Sequence, residues 1–154
     1  MDDLAQWLRA QIDEDERIAL KSVEQAIVNL AGADAASVAN WHVVERTATG
    51  TFVATRDQWD RVAEIVPTYG GAHAEHIAEW DPARVLREVD AKRRMIGEVL
   101  KYEAKIDGEW GCCHEVDEIA AGECPEIQPQ DVTALRLLAA VYADRLGYQE
   151  AWRP

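Results

Sequence analysis

Asp81-Pro82 is the feature that most constrains this chain, because it fixes a helix start near the middle of the sequence. An aspartate side chain accepts hydrogen bonds from the unpaired amides of a first turn, and a proline at the first helical position lacks only an N–H that would have gone unused. The residues that follow keep helical period. Val85, Leu86, Val89, Ile96, Val99 and Leu100 fall on one apolar face, and Gly108 marks the end. The spacing predicts a helix over about 82–105, which would be roughly 36 Å long. Its other face mixes Arg84, Arg87, Lys92, Arg93, Arg94 and Lys101 with Glu88, Asp90 and Glu98. That is the composition of a solvated face exchanging ion pairs between neighbouring turns.

A second segment of this kind opens the chain. After Asp2 or Asp3, either a fitting N-cap, the positions Leu4, Trp7, Leu8, Ile12, Ala19, Val23, Ala26, Ile27 and Leu30 recur at helical spacing, with Gly32 as a stop. This predicts a helix over 3–30, with the acidic block Asp13 to Glu16 on its solvated side. Residues 33 to 40 are small and polar and read as a loop. Trp41 to Arg46 and Thr51 to Thr55 are rich in β-branched and aromatic residues and flank Thr47 to Gly50, so 41–55 reads as a β-hairpin. A lone hairpin is marginal in water, so its apolar face must lie on a helix.

After Asp57, a candidate N-cap, the positions Trp59, Val62, Ala63 and Val66 predict a short helix ended by Pro67, and Ala72 to Trp80 another helical turn or two carrying His73 and His76. Asp131 is placed to cap a final helix over 132–145 that buries Val132, Leu135, Leu138, Ala139 and Tyr142, with Gly147 as its stop. Tyr148 and Trp152 then predict a tail that packs down. The expected fold is a single α+β domain, mostly helical, over 1–154. Three main helices form a bundle-like core, with the β-hairpin to one side and a Cys/His knuckle over 110–124 before the last helix.

A chain of 154 residues can bury roughly 68–70% of the surface its unfolded form exposes, so it needs no metal merely to fold. No apolar run approaches 18 residues and no basic leader precedes one, so a soluble, cytoplasmic protein is expected. The net charge of −13 opposes binding to a nucleic-acid backbone or an anionic membrane, both of which attract Lys and Arg. Residues 103–131 concentrate the acidity, with nine acids against Lys105.

Trp110-Gly111-Cys112-Cys113-His114, followed by Cys124-Pro125, gathers every cysteine and one of four histidines into that acidic stretch. Three cysteines within 13 positions suit reduced thiols better than a disulfide framework. Zinc takes four Cys or His ligands in tetrahedral array, so the expected set is two of Cys112, Cys113 and His114, then Cys124, then His76 or His73 from before the central helix. The alternative is that the cysteines are small buried hydrophobes and His114 is a surface residue. A nucleophilic cysteine activated by His114 or His76 is opposed by the surrounding acids, which raise a thiol pKa. No Gly-rich phosphate loop, Gly-x-Ser-x-Gly elbow or His-Glu-x-x-His run is present. Six tryptophans are many for this length, and an exposed subset such as Trp80, Trp110 or Trp152 would mark a protein interface.

Three stretches carry a resemblance: Met1 to Leu4 with Trp7-Leu8, His76 to Val89 with Lys92-Arg93, and Leu135 to Ala139 through Tyr142-Ala143-Asp144 and Tyr148 to Trp152-Arg153-Pro154. In these the chain is similar to a family of small actinobacterial and actinophage proteins of unknown function. The resemblance implies a cytoplasmic protein from such a source, often with a cysteine-bearing segment before the last helix, and supplies no activity. The residues favour a non-enzymatic, zinc-stabilised interaction or regulatory module, phage-encoded on that resemblance, whose acidic stretch or aromatic tail docks on a host protein. A small metal-dependent hydrolase or nuclease with an open zinc site is the alternative. The broad apolar stripe of the first helix also allows a homodimer.

Overall fold

A computed structural model of the chain describes residues 4–46, 50–68, 71–107 and 132–154. The chain divides into two compact units, Asp13–Asp90 and Met1–Ile12 with Ala91–Pro154. The architecture is mixed α+β. Two 26-residue helices, α1 (Leu4–Asn29) and α4 (Pro82–Asp107), contribute residues to both units.

In the unit Asp13–Asp90, α1 is followed by α2 (Ala35–Val38), β1 (Trp41–Arg46), β2 (Gly50–Arg56), β3 (Val62–Thr68) and α3 (Gly71–Glu79). The strands form one antiparallel sheet in the order β1-β2-β3, with Val43 opposite Val53 and Trp41 opposite Thr55. The central strand β2 buries Phe52, Val53, Ala54 and Thr55 in succession, as a strand covered on both faces must. The helix α3 lies against all three strands and α2 against β2. Val23, Ala26, Leu30, Ala33, Val38 and Ala39 form one buried cluster, joined by Ile27, Ala63 and Ala83. Thr55 is fully buried, and its hydroxyl lies 2.9 Å from the carbonyls of both Val38 and Asn40. Asp81 opens α4 as its neighbours require: one carboxylate oxygen accepts from the Arg84 amide at 2.6 Å and the other from the Trp41 amide at 3.3 Å.

In this unit two stretches differ from expectation. The segment read as a short helix from Trp59 to Pro67 is instead a tight turn followed by β3. Val62, Ala63 and Val66 fit either period. The choice falls to β2, whose second edge β3 satisfies, and to Asp57, which holds a turn rather than starting a helix. Pro67 is tolerated because β3 is an edge strand, where a missing N–H costs no ladder bond. The loop read over 33–40 contains α2, capped by Asp34, whose carboxylate accepts from the Ser37 amide at 2.9 Å and from its hydroxyl at 2.6 Å. Those bonds, the side-chain one first, hold the Asp34 carboxyl below the usual aspartate value.

In the other unit Leu4, Leu8 and Ile12 of α1, Ile96 of α4, and Leu135, Leu138 and Ala139 of α5 (Thr133–Ala140) are buried. The final helix, expected over 132–145, stops at Ala140. Beyond it the backbone tightens to three-residue hydrogen bonds, Tyr142 to Ala139 and Arg145 to Tyr142 at 2.9 Å each. Val132 is the N-cap of α5 without a side-chain bond, and Asp131 lies outside the described residues. A 3-10 turn, Glu150–Trp152, then buries Trp152. The Trp7 ring lies 5.1 Å from that of Trp152, 5.9 Å from Tyr148 and 6.5 Å from Tyr142, and its indole N–H donates to the Leu146 carbonyl at 3.2 Å. Lys92 donates to the Tyr142 hydroxyl at 2.9 Å. The Arg136 side chain donates to the carbonyls of Trp152 and Arg153.

Candidate interaction surface

The turn between β2 and β3 is built by Asp57. Its side chain is fully buried and accepts from the amides of Trp59 at 3.0 Å and Arg61 at 2.8 Å, and from the Arg61 guanidinium at 2.5 Å. Burial pushes this carboxyl up, but the hydrogen bonds from Arg61 and Trp59, with the Arg61 charge, outweigh it and hold the group below its ordinary value. Asp60 takes the left-handed conformation at φ 63°, which aspartate tolerates better than most residues.

Two side chains then tie the turn to the loop after α1. The Gln58 amide donates to the Gly32 carbonyl and accepts from the Asp34 amide, both at 3.0 Å, while Arg61 donates to the Ala31 carbonyl at 2.9 Å. Trp59 is left 60% exposed, with Arg61 4.9 Å over its ring. At the end of α3, Trp80 repeats the arrangement: it is 46% exposed and Arg84 lies 4.2 Å over its ring. Arg84 is fixed by Glu88 at 3.0 Å and Glu79 at 2.9 Å, which, Glu88 first, raise its pKa. Tryptophan and arginine dominate the energetics of protein contacts, and each pair here presents a large rigid ring beside an oriented cation.

On the sheet, Arg56 donates to His42 Nε2 at 3.1 Å and pairs with Asp60 at 2.6 Å. Burial and then the Arg56 charge lower the His42 pKa, the same direction in which an Nε2 that accepts from Arg56 is favoured.

Of the proposed metal ligands, Cys112, Cys113, His114 and Cys124 lie outside the described residues. His76 is exposed on α3 with its ring 6.4 Å from Trp80, and His73 is exposed one turn earlier. Among the described residues no group of three or more His, Cys, Asp or Glu could hold a metal ion. Of the tryptophans named as surface candidates, Trp80 is exposed, Trp152 is buried at 3%, and Trp110 is not described. Trp59 was missed as a surface residue. The signal for it was the pair Asp57 and Asp60 bracketing a turn, which the apolar spacing of Trp59 and Val62 hid.

A family model matches residues 1–154. The chain belongs to DUF6221, a family of unknown function. No curated protein and no solved structure matches this DUF6221 chain. No helix among the described residues is long and apolar enough to cross a membrane.

Proposed function

We propose that the protein is a non-enzymatic interaction module that binds another protein through its exposed tryptophans, Trp59 with Arg61 and Trp80 with Arg84. The observation that carries this reading is the exposure of two tryptophans on rigidly held turns. Large apolar rings held in water by a hydrogen-bonded scaffold have no role in the core and suit burial by a partner. In the phage-encoded case that the resemblance allows, the partner is a host protein. The zinc knuckle stays in this reading on the chemistry of its donors alone, with Cys112, Cys113, His114, Cys124 and His76 as candidate ligands.

The test compares crosslinked partners of wild type with those of the Trp59→Ala, Trp80→Ala double variant in lysate of the source organism. A protein captured by wild type and lost in the variant, with unchanged circular dichroism, is the expected result. Identical capture by both removes this surface from the function. Elemental analysis of protein purified without chelators is expected to give about one zinc per chain, absent in Cys124→Ser; zinc-free folded protein would strike the knuckle from the reading.

A further inference from the structure

In the unit Asp13–Asp90 a groove of about 480 Å³ runs between α1 and the sheet. Grooves of roughly 300–1,000 Å³ accommodate small molecules. Its apolar lining comes from Ile18 on α1 and from Trp41 and Ile65 on β1 and β3. Ile18 is 51% exposed at the rim. Several polar side chains of the α1 wall are satisfied within the helix. Ser22 donates to the Ile18 carbonyl at 3.2 Å and Gln25 to Asn29 at 3.3 Å.

What is left is rich in donors. Arg17 and Lys21 line the groove against one carboxylate, Glu64. Arg17 is shared with Glu14 at 2.6 Å, whereas Lys21 makes no ion pair among the described residues. Trp41 adds an indole N–H that is buried without an acceptor among the described residues. With Glu14 taking up Arg17, cations and carboxylates balance here, and the donors left without a partner among the described residues are the Lys21 ammonium and the Trp41 indole N–H; beside an apolar wall, in a chain of charge −13, they are a local complement to an anion with an apolar body. The strand β3 carries Pro67 and a bulge where Val53 and Ala54 pair with Val66 and Glu64, and both features oppose the addition of an extended peptide to its edge. A small molecule therefore fits this groove better than a peptide strand.

We propose that the groove binds a small amphipathic anion, an aromatic or acyl body carrying one acidic group, with the body against Ile18, Trp41 and Ile65 and the acid at Lys21. The site is separate from the tryptophan surface above and does not depend on it.

The test is a fluorescence titration of the full chain with 1-anilinonaphthalene-8-sulfonate, beside N-phenyl-1-naphthylamine, which has nearly the same rings and no sulfonate. One saturable site per chain is expected, with the anion bound about tenfold tighter than the neutral probe, as one to two unit-charge contacts near 4 Å in water would give. Lys21→Glu should abolish that preference and Ile18→Glu should weaken both probes. Val28→Glu, on the same helix but outside the groove lining, should change neither. All three positions are exposed, so the variants keep the fold. Absence of saturable binding, equal binding of the two probes, indifference to Lys21→Glu or equal loss in Val28→Glu would each overturn the proposal.

Discussion

Replacing Trp152 by alanine tests whether the aromatic cluster of the unit Met1–Ile12 with Ala91–Pro154 is a structural core. Trp152 is 3% exposed, with ring centroids 5.1 Å from Trp7 and 6.0 Å from Tyr148. Truncating a buried tryptophan to alanine costs about 3–5 kcal/mol, and aromatic pairs at these separations contribute about 0.5–1.5 kcal/mol each within that figure. The segment Glu150–Trp152 is a single 3-10 turn, short enough to relax into part of the space the ring leaves, which places the expected cost near the lower figure, about 3 kcal/mol. For a chain of this size that is a fall in Tm of roughly 6–12 °C. The assay is thermal and urea unfolding followed by far-ultraviolet circular dichroism, with tryptophan fluorescence as a second probe. Leu146→Ala is the control, because Leu146 is 98% exposed and its loss should stay within about 0.5 kcal/mol. A Trp152→Ala shift under about 2 °C, no larger than the control, would refute the reasoning, since a buried ring packed on two others cannot be removed at so little cost.

Other substitutions follow from single contacts. Thr55→Val leaves the carbonyls of Val38 and Asn40 without their shared hydroxyl donor and should cost about 1–3 kcal/mol, with Thr55→Ser recovering most of it in urea titrations. Gly147→Ala should cost roughly 1–2 kcal/mol or more, because φ is +87° and the new Cβ would lie 2.9 Å from Trp7 Nε1, displacing the donor to Leu146. Asp57 has a folded pKa below the ordinary 3.8, so its contribution is present above that value and is lost as pH falls through the lower folded one. Acid unfolding of Asp57→Asn should therefore show a shallower loss of stability below about pH 4 than wild type, and equal slopes would remove this carboxylate as an acid sensor.

The parts legible in the sequence are those where local chemistry and tertiary packing agree. Asp81-Pro82 announces α4 because cap and ring act within one turn, and the capping bond to Arg84 is present. The hydrophobic period of α1 holds across 26 residues, too long for a strand to imitate. Residues 57 to 68 were illegible for the opposite reason. Val62, Ala63 and Val66 are too few to separate a period of 3.6 from an alternation broken by a bulge, and the bulge lies in the pairing with β2. The exposure of Trp59 depends on Gln58 and Arg61 reaching carbonyls 26 and 30 residues away, which no local pattern encodes. The groove is likewise composed from α1 and two strands that become neighbours only on folding.

Trp59 connects the stability of this unit to the surface proposed for binding. An exposed tryptophan on an ordinary loop would collapse onto the nearest apolar surface, because burying its ring is favourable. Here the turn denies it that choice. Asp57 fixes the amides of Trp59 and Arg61, Gln58 and Arg61 bind the loop after α1, and Gly32 lies beneath the ring. A Cβ at Gly32 would stand 3.6 Å from the ring edge, ordinary contact, but φ of +84° there excludes most other residues. The hydrogen bonds that shape the turn between β2 and β3 and tie it to the loop after α1 are thus the ones that keep the indole outside. Asp57→Asn should consequently release Trp59 as well as lower stability, so loss of partner binding in that variant would precede unfolding, whereas Thr55→Val should lower stability alone.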